Sequence, residues 1–160
     1  MVVTKVRFQE VTRSIEKYLL ALEVFEDQQA FIAPIEQSLA LAASVDHFQV
    51  AILADEVVVG YALYFTTLDR SGNIPQRLKD PTGRYTEVVR FLVDRHFQRQ
   101  GIGTVALRML VDHISATHGA VKIWTSYCKR NTASGRLFRK FGFQETEIKE
   151  EQEFVLVFEA

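Results

Sequence analysis

Residues 98 to 106 read QRQGIGTVA, and the residue types in that stretch suit the binding of an anion. Gly101 and Gly103 let the main chain come close to a charged guest. The first N–H groups of a helix have no partner inside it, so a helix beginning near Gly103 would aim unpaired donors and the positive end of its dipole at that guest. Arg99 adds a mobile cation, and Gln98 and Gln100 add amides that a bare strand-to-helix turn would not need. A pyrophosphate is the natural occupant. The tail GIGTVA also spells the dinucleotide pattern G-x-G-x-x-G/A, but that site requires its first glycine directly after the first strand. Here the seven residues DRHFQRQ separate Val93 from Gly101, and the motif follows the fourth strand-like segment. No acidic residue closes the next strand-like segment, VKIWTSYC, to hold a ribose, and no Gly-Lys-Ser/Thr follows to make a P-loop.

Other reactive side chains do not gather into a second site. Cys128, the one cysteine, has no histidine close in sequence to activate it and is expected to pack rather than react. His47, His96, His113 and His118 lack ligand spacing and no carboxylate cluster joins them, so no metal is expected. A net charge of −1 gives no reason to expect nucleic acid or a membrane surface as partner. No apolar run approaches the ~20 residues of a membrane span, MVVTKVRFQE does not read as a signal peptide, and a lone cysteine forms no internal disulfide. The cytoplasm is the expected compartment. With 160 residues, 48% of them apolar, a single domain over 1–160 can bury a sizeable core.

The elements that must position the cradle follow from periodicity. VVTKVRFQEV reads as a strand and TRSIEKYLLAL as a helix opened by Thr12 or Ser14. Pro34 breaks the next segment, which resumes as a short helix from about Ile35 to Ala43. FQVAIL and VVVGYALYFTT form a hairpin across ADE, and LDRSGNIPQRLKDPTGR is a long loop with room for a helical turn. YTEVVRFLVD is a strand. After Gly101 a helical stripe of Ile102, Val105, Met109, Leu110 and Ile114 runs to Gly119. AVKIWTSYC is a strand, Asn131 caps a helix that Gly142 stops, and the chain closes as two strands with a turn near Glu150. The order is β-α-α-β-β-β-α-β-α-β-β, an α/β (α+β) domain.

These segments resemble the GNAT N-acetyltransferase family. Gln98-x-x-Gly101-x-Gly103 after the strand VVRFLVD matches its Q/R-x-x-G-x-G/A signature, and NTASGRLFRKFGF, residues 131 to 143, matches its helix opened by Asn and closed by aromatic-Gly-Phe. The element order is also that of the family. Within it, FIAPIEQSLALA is similar to the F-V-A-P-N-x-x-S-L-A-x-A stretch of bacterial diamine and polyamine acetyltransferases, though Ile35 stands where they have Asn. RFLVDRHFQRQGIG and TSYCKRN are similar to further segments of the same enzymes, while the long loop before Tyr85 departs from their compact turn. The resemblance implies a GNAT fold: a mixed, mostly antiparallel sheet with helices on both faces.

It also implies acetyl-coenzyme A as cofactor. The backbone of Phe91, Leu92 and Val93 would pair with the pantetheine arm, and an N–H around Leu92 or Val93 would stabilise the oxyanion. The pyrophosphate would meet Gln98, Arg99, Gln100, Gly101, Ile102, Gly103 and Thr104. Asn131 would touch the pantetheine arm or only cap its helix, and Phe138 stands where family members carry the tyrosine that protonates the leaving thiolate. Tyr127 could replace that donor or simply pack. Glu87 lies fourteen residues before Gly101, the offset of the catalytic glutamate in histone acetyltransferases of this superfamily, and is the candidate base. By alternation it shares a face with Val89, Phe91 and Val93; a solvated carboxylate near a strand start is the plain alternative.

The family's acceptor wall would bring Glu23, Glu26, Asp27 and Glu36 towards a cationic substrate, whereas Arg70, Arg77, Lys79 and Arg84 in the long loop would suit an acidic one. The reading is direct acetyl transfer to a primary amine, with a diamine or polyamine first. Protein N-termini, lysines or aminoglycoside-like amines remain open as acceptors. A non-catalytic acyl-coenzyme A sensor also remains open, as does assembly as a homodimer.

Overall fold

Alternating β-branched and aromatic segments pair into one seven-stranded sheet in the computed structural model, which describes residues 5–24 and 33–159. In chain order the elements are β1 (Val6–Gln9), α1 (Arg13–Leu20), α2 (Ile35–Ala42), β2 (His47–Ala54), β3 (Val57–Leu68), β4 (Arg84–Val93), α3 (Ile102–His118), β5 (Lys122–Cys128), α4 (Thr132–Phe141), β6 (Gln144–Lys149) and β7 (Glu153–Glu159). Single 3-10 turns at Gln76–Leu78 and Arg95–Phe97 add to the expected order without changing it. The spatial order is β1-β2-β3-β4-β5-β7-β6, and neighbours run antiparallel except β4 and β5, which are parallel.

The helices lie on both faces. Ile15 and Leu19 of α1 and Ile35 of α2 pack with Leu53, Tyr61, Leu63 and Leu92 on one side. On the other, Ile102, Ala106, Leu107, Leu110, Val111 and Ile114 of α3 meet Ile52, Val59, Val93 and Ile123, with Phe138 of α4 beside them. The buried face of α3 is therefore turned from the expected stripe. Val105 is 48% exposed, and Ala106 and Leu107 take the core positions, because a small alanine lets the helix sit close to the sheet.

The long loop is fastened rather than free. Asp80, 1% exposed, accepts from the N–H groups of Thr82, Arg84 and Val121, while Trp124 Nε1 donates to Leu78 O at 2.8 Å. Lys79 pairs with Asp69 at 3.0 Å, both side chains under 10% exposed. Lys79 and Arg84, whose Nη1 donates to Thr66 Oγ1, are thus tied to the scaffold, contrary to the expectation that they suit an acidic substrate.

Two irregularities of β4 shape the space around its C-terminal end. Its register with β3 shifts: Arg90 pairs with Leu63 and Val88 with Tyr64, so Val89 is the extra residue of a β-bulge. A bulge reverses the alternation beyond it. Glu87 and Val89 lie on the α1/α2 side, but Phe91 and Val93 pack on the α3/α4 side, so the expected common face of these four residues is corrected. Pairing of β4 with β5 is confined, among the described residues, to Glu87–Trp124 and Val88–Thr125. Beyond Val88 the strands part, and the β5-facing backbone edge from Val89 to Val93 is left out of the ladder.

Candidate functional site

The cleft opened by this divergence has a volume of about 270 Å³ and runs between the end of β4 and the N-terminal ends of α3 and α4. Phe91, Leu92 and Val93 form one wall, Gln98, Arg99, Gly101, Gly103 and Thr104 the floor, and Asn131 and Phe138 the far side. Arg99 and Gly101 both adopt left-handed backbone, with φ of 61° and 81°. A Cβ added at Gly101 would meet no atom within 4 Å, and the residue lines the cleft. Gly101 is also the N-cap of α3 and carries no side chain to satisfy the first-turn N–H groups. Gln98 Nε2 donates to Val93 O at 2.8 Å, which ties the turn to the end of β4. Left-handed backbone, uncapped amides and the Arg99 guanidinium fit a pyrophosphate.

Not every residue of the cradle faces the cleft. The Ile102 side chain is 2% exposed in the core, and Gln100 is exposed with its Nε2 on His96 O at 3.2 Å, so neither side chain lines it. Val24, Ala133, Ser134, Arg136 and Leu137 line the cleft although the sequence motifs do not single them out. Val24 arrives because Asp94 accepts from Glu23 N at 2.8 Å and Arg95 pairs with Glu23 at 3.0 Å, docking the end of α1 on the turn. The α4 residues come from the first two turns of the helix that Asn131 caps, and only Ser134 stands at the i+3 position from it.

A second cavity of about 260 Å³ adjoins the first and shares Phe91, Asn131, Ser134 and Phe138 with it. Glu87, Arg90, Ser126, Tyr127, Cys128 and Glu153 line the remainder, together with Ala33 from the segment before α2. Glu87 accepts a hydrogen bond from the Tyr85 hydroxyl at 2.9 Å. Burial pushes its carboxyl above the usual range; Tyr85 opposes that shift, Glu153 adds to it, and Arg90 and His47 oppose it. The Arg90 Nη1 donates to Val89 O at 2.9 Å, holding the bulge.

Asn131 is 7% exposed, accepts from Ser134 N at 3.3 Å as the cap of α4, and borders both cavities. Tyr127, 6% exposed, sends its hydroxyl under α4 to Gly135, where an added Cβ would lie 2.7 Å from it. The Arg139 guanidinium stands 5.4 Å from its ring. Phe138 packs 6.5 Å from Phe91 and 5.4 Å from Phe143, and its ring has no proton to give. Cys128 is half-buried in the wall of the second cavity. Glu36 is exposed on the first turn of α2 and lines neither cavity, while Glu26 and Asp27 lie outside the described residues. No cluster of three or more metal-ligating side chains occurs among the described residues, and none of their helices is long and apolar enough to cross a membrane.

A family model described as the Acetyltransferase (GNAT) family matches residues 11–143. Spermine/spermidine N(1)-acetyltransferase of Bacillus subtilis is 26% identical over 140 residues, 87% of this chain and 88% of that protein. A ribosomal protein bS18 alanine N-acetyltransferase of Salmonella typhimurium is 37% identical over 57 residues, 36% of this chain and 38% of that protein. Among solved structures, the PaiA N-acetyltransferase of Thermoplasma acidophilum in complex with coenzyme A superposes with a TM-score of 0.69 at 13% identity, covering 98% of this chain and 100% of that one.

Proposed function

Since the chain belongs to the GNAT acetyltransferase family and its cofactor is acetyl-coenzyme A, we propose that it transfers acetyl directly to a primary amine of the diamine or polyamine class. The observation that carries this reading is the junction of two cavities. The cradle cleft and the cavity holding the Glu87 carboxyl meet across Phe91, Asn131, Ser134 and Phe138, so a donor in one and an amine in the other would share a wall.

The bound cofactor supplies an acetyl thioester; the chain supplies the rest. An alkylamine of pKa about 10 is almost wholly protonated near neutrality and cannot attack until a base takes its proton. Glu87 is that base in this proposal. Its raised pKa brings it nearer the working pH, which favours proton transfer. Backbone N–H groups of the β4 edge, which β5 leaves unpaired after Val88, are suited to receive negative charge developing on the carbonyl oxygen. Phe138 has no acidic proton, so the Tyr127 hydroxyl is assigned as donor to the departing thiolate. A thiol of pKa near 8.5 is already a fair leaving group, so this assistance is the smaller demand.

The acceptor class rests on the Bacillus relative, which matches over most of both chains, and on the two carboxylates of Glu87 and Glu153 in the cavity wall. Arg90 in the same wall favours a second reading, an acceptor that carries an oxygen beside its amine, such as a protein N-terminus. Thiol release from acetyl-coenzyme A with spermidine, putrescine and an alanine-started peptide decides between them. Turnover of the polyamines with loss in Glu87→Gln supports the proposal. Turnover of the peptide alone replaces the acceptor class, and tight coenzyme A binding with no release on any amine returns the chain to the sensor reading.

A further inference from the structure

We propose that Tyr85 is the positioning residue for Glu87, its hydroxyl fixing one carboxylate oxygen so that the other is left for the acceptor amine. The inference rests on Glu87 acting as base. Tyr85 and Glu87 are two residues apart on β4, before the bulge at Val89, and so project from the same face of the strand. The Tyr85 hydroxyl donates to Glu87 Oε2 at 2.9 Å, and no other side-chain hydrogen bond to Glu87 occurs among the described residues. The tyrosine is itself held: its ring lies 6.0 Å from Phe65, the residue paired with Glu87 across β3, and Phe65 lies 4.9 Å from the ring of His47. A half-buried carboxylate with three rotatable bonds would otherwise sample several rotamers, so a single donor on a packed ring selects the one it keeps.

The charges around Glu87 make this contact consequential. Glu153 on β7 disfavours its ionised form, and Arg90 on β4 and His47 on β2 favour it from farther off. Tyr85 is the one partner in hydrogen-bonding contact among the described residues. Burial, and Glu87 itself, push the Tyr85 phenol well above its ordinary range, so it remains a protonated donor at any pH at which the enzyme works.

The test is Tyr85→Phe, which keeps the ring against Phe65 and whose melting curve reports the fold. Two readouts are taken: the Glu87 carboxyl titration by carbon NMR in the cofactor-free protein, and the pH profile of kcat/KM. Losing a hydrogen bond to the charged form raises the carboxyl's pKa. The NMR titration and the acid limb are expected to move together to higher pH by about one unit, and the high-pH plateau to fall severalfold as the carboxylate samples other rotamers. A merely structural role would lower the plateau and leave the limb in place. An NMR titration that does not move in Tyr85→Phe overturns the role given to Tyr85, whatever Glu87 does. Full activity in Glu87→Gln, with the Tyr85→Phe shift present, instead overturns Glu87 as base.

Discussion

Gly60 on β3 is paired with Val93, and a Cβ built on it would fall 2.5 Å from the backbone oxygen of Leu92 and 3.2 Å from Ile52 Cδ1. A carbon–oxygen contact relaxes only at about 3.3 Å, so Gly60→Ala asks β3 and β4 to separate by roughly 0.8 Å. The obstacle is a main-chain carbonyl in a hydrogen-bonded ladder, which cannot rotate away. Overpacking of this kind costs about 1–3 kcal/mol, against roughly 0.5–1 kcal/mol regained because alanine is less flexible than glycine in the unfolded chain. A net loss of about 1–2 kcal/mol lowers Tm by roughly 2–8 °C in a domain of this size. The displaced carbonyl faces β3, but it belongs to Leu92, which also walls the cleft, so a shift of β4 should weaken coenzyme A binding in step, about fivefold for one strained backbone contact. Thermal denaturation and calorimetric titration with coenzyme A measure both. Gly103→Ala is the control: its Cβ would touch Leu137 at an ordinary 3.6 Å, and an alanine within α3 should stabilise by up to ~1 kcal/mol. Wild-type Tm and coenzyme A affinity in Gly60→Ala would refute the argument, and so would equal losses in the two variants.

The same geometry sets the outcome of three other perturbations. In a Tyr127→Phe background, Phe138→Tyr should restore part of a rate lowered by up to ~10²-fold if proton donation to sulfur is limiting, while full activity in Tyr127→Phe would show that departure is not slow. Arg99→Gly should raise Tm, because glycine relieves about 1 kcal/mol of left-handed strain at φ 61°, yet weaken coenzyme A binding and flatten its salt dependence; parallel movement of the two would refute the cradle. The Ser71 hydroxyl, the Ile74 N–H and Lys79 hold the Asp69 carboxyl below its ordinary range. A carboxyl depressed in the folded state contributes stability fully present above its unfolded pKa of about 3.9 and lost as the pH falls through the folded value. Urea melts should therefore find Asp69→Asn less stable than wild type at pH 7, with the gap narrowing below about pH 4; a gap independent of pH would refute it.

The sequence disclosed the elements because each carries a local signal: Pro34 before α2, Gly101 and Gly119 around α3, Asn131 and Gly142 around α4. It also disclosed the walls of the cleft that lie within those signals. What it hid depends on pairing. A β-bulge inserts one residue without a composition of its own, so Val89 reads as an ordinary strand valine, and counting by two carries Glu87 to the wrong face relative to Phe91. Glu153 enters the second cavity only because β7 pairs antiparallel with β5 and brings it opposite Cys128. Arg90 carries no sequence signal of its hold on the bulge, which depends on a backbone carbonyl that only the bulge turns towards it. The loop's cations were legible, but the carboxylates of Asp69 and Asp80 that fasten the loop gave no periodic pattern to read.

Each letter of the cradle answers to a different demand. Gln98 reaches back to the last carbonyl of β4, so its place in the motif is set by the distance from strand end to turn, not by contact with a guest alone. Gly101 is required by its left-handed φ and leaves open space where a side chain would stand. Gly103 is required by neither conformation nor space, which is why the family spelling admits alanine there. The alanine that completes the dinucleotide spelling, Ala106, points the other way, into the core between α3 and the sheet. A dinucleotide fold needs a small residue at that point for helix–strand packing, and Ala106 meets the same need here; what differs is the turn, set seven residues beyond the strand. The divergence of β4 from β5 supplies what a tight strand-to-helix turn does not: an exposed backbone edge beside the cradle, able to take an extended, amide-bearing arm as a further strand. A hydride carrier has no such arm and an acyl carrier does, so the short pairing of β4 with β5 leaves an edge suited to the second and not needed by the first.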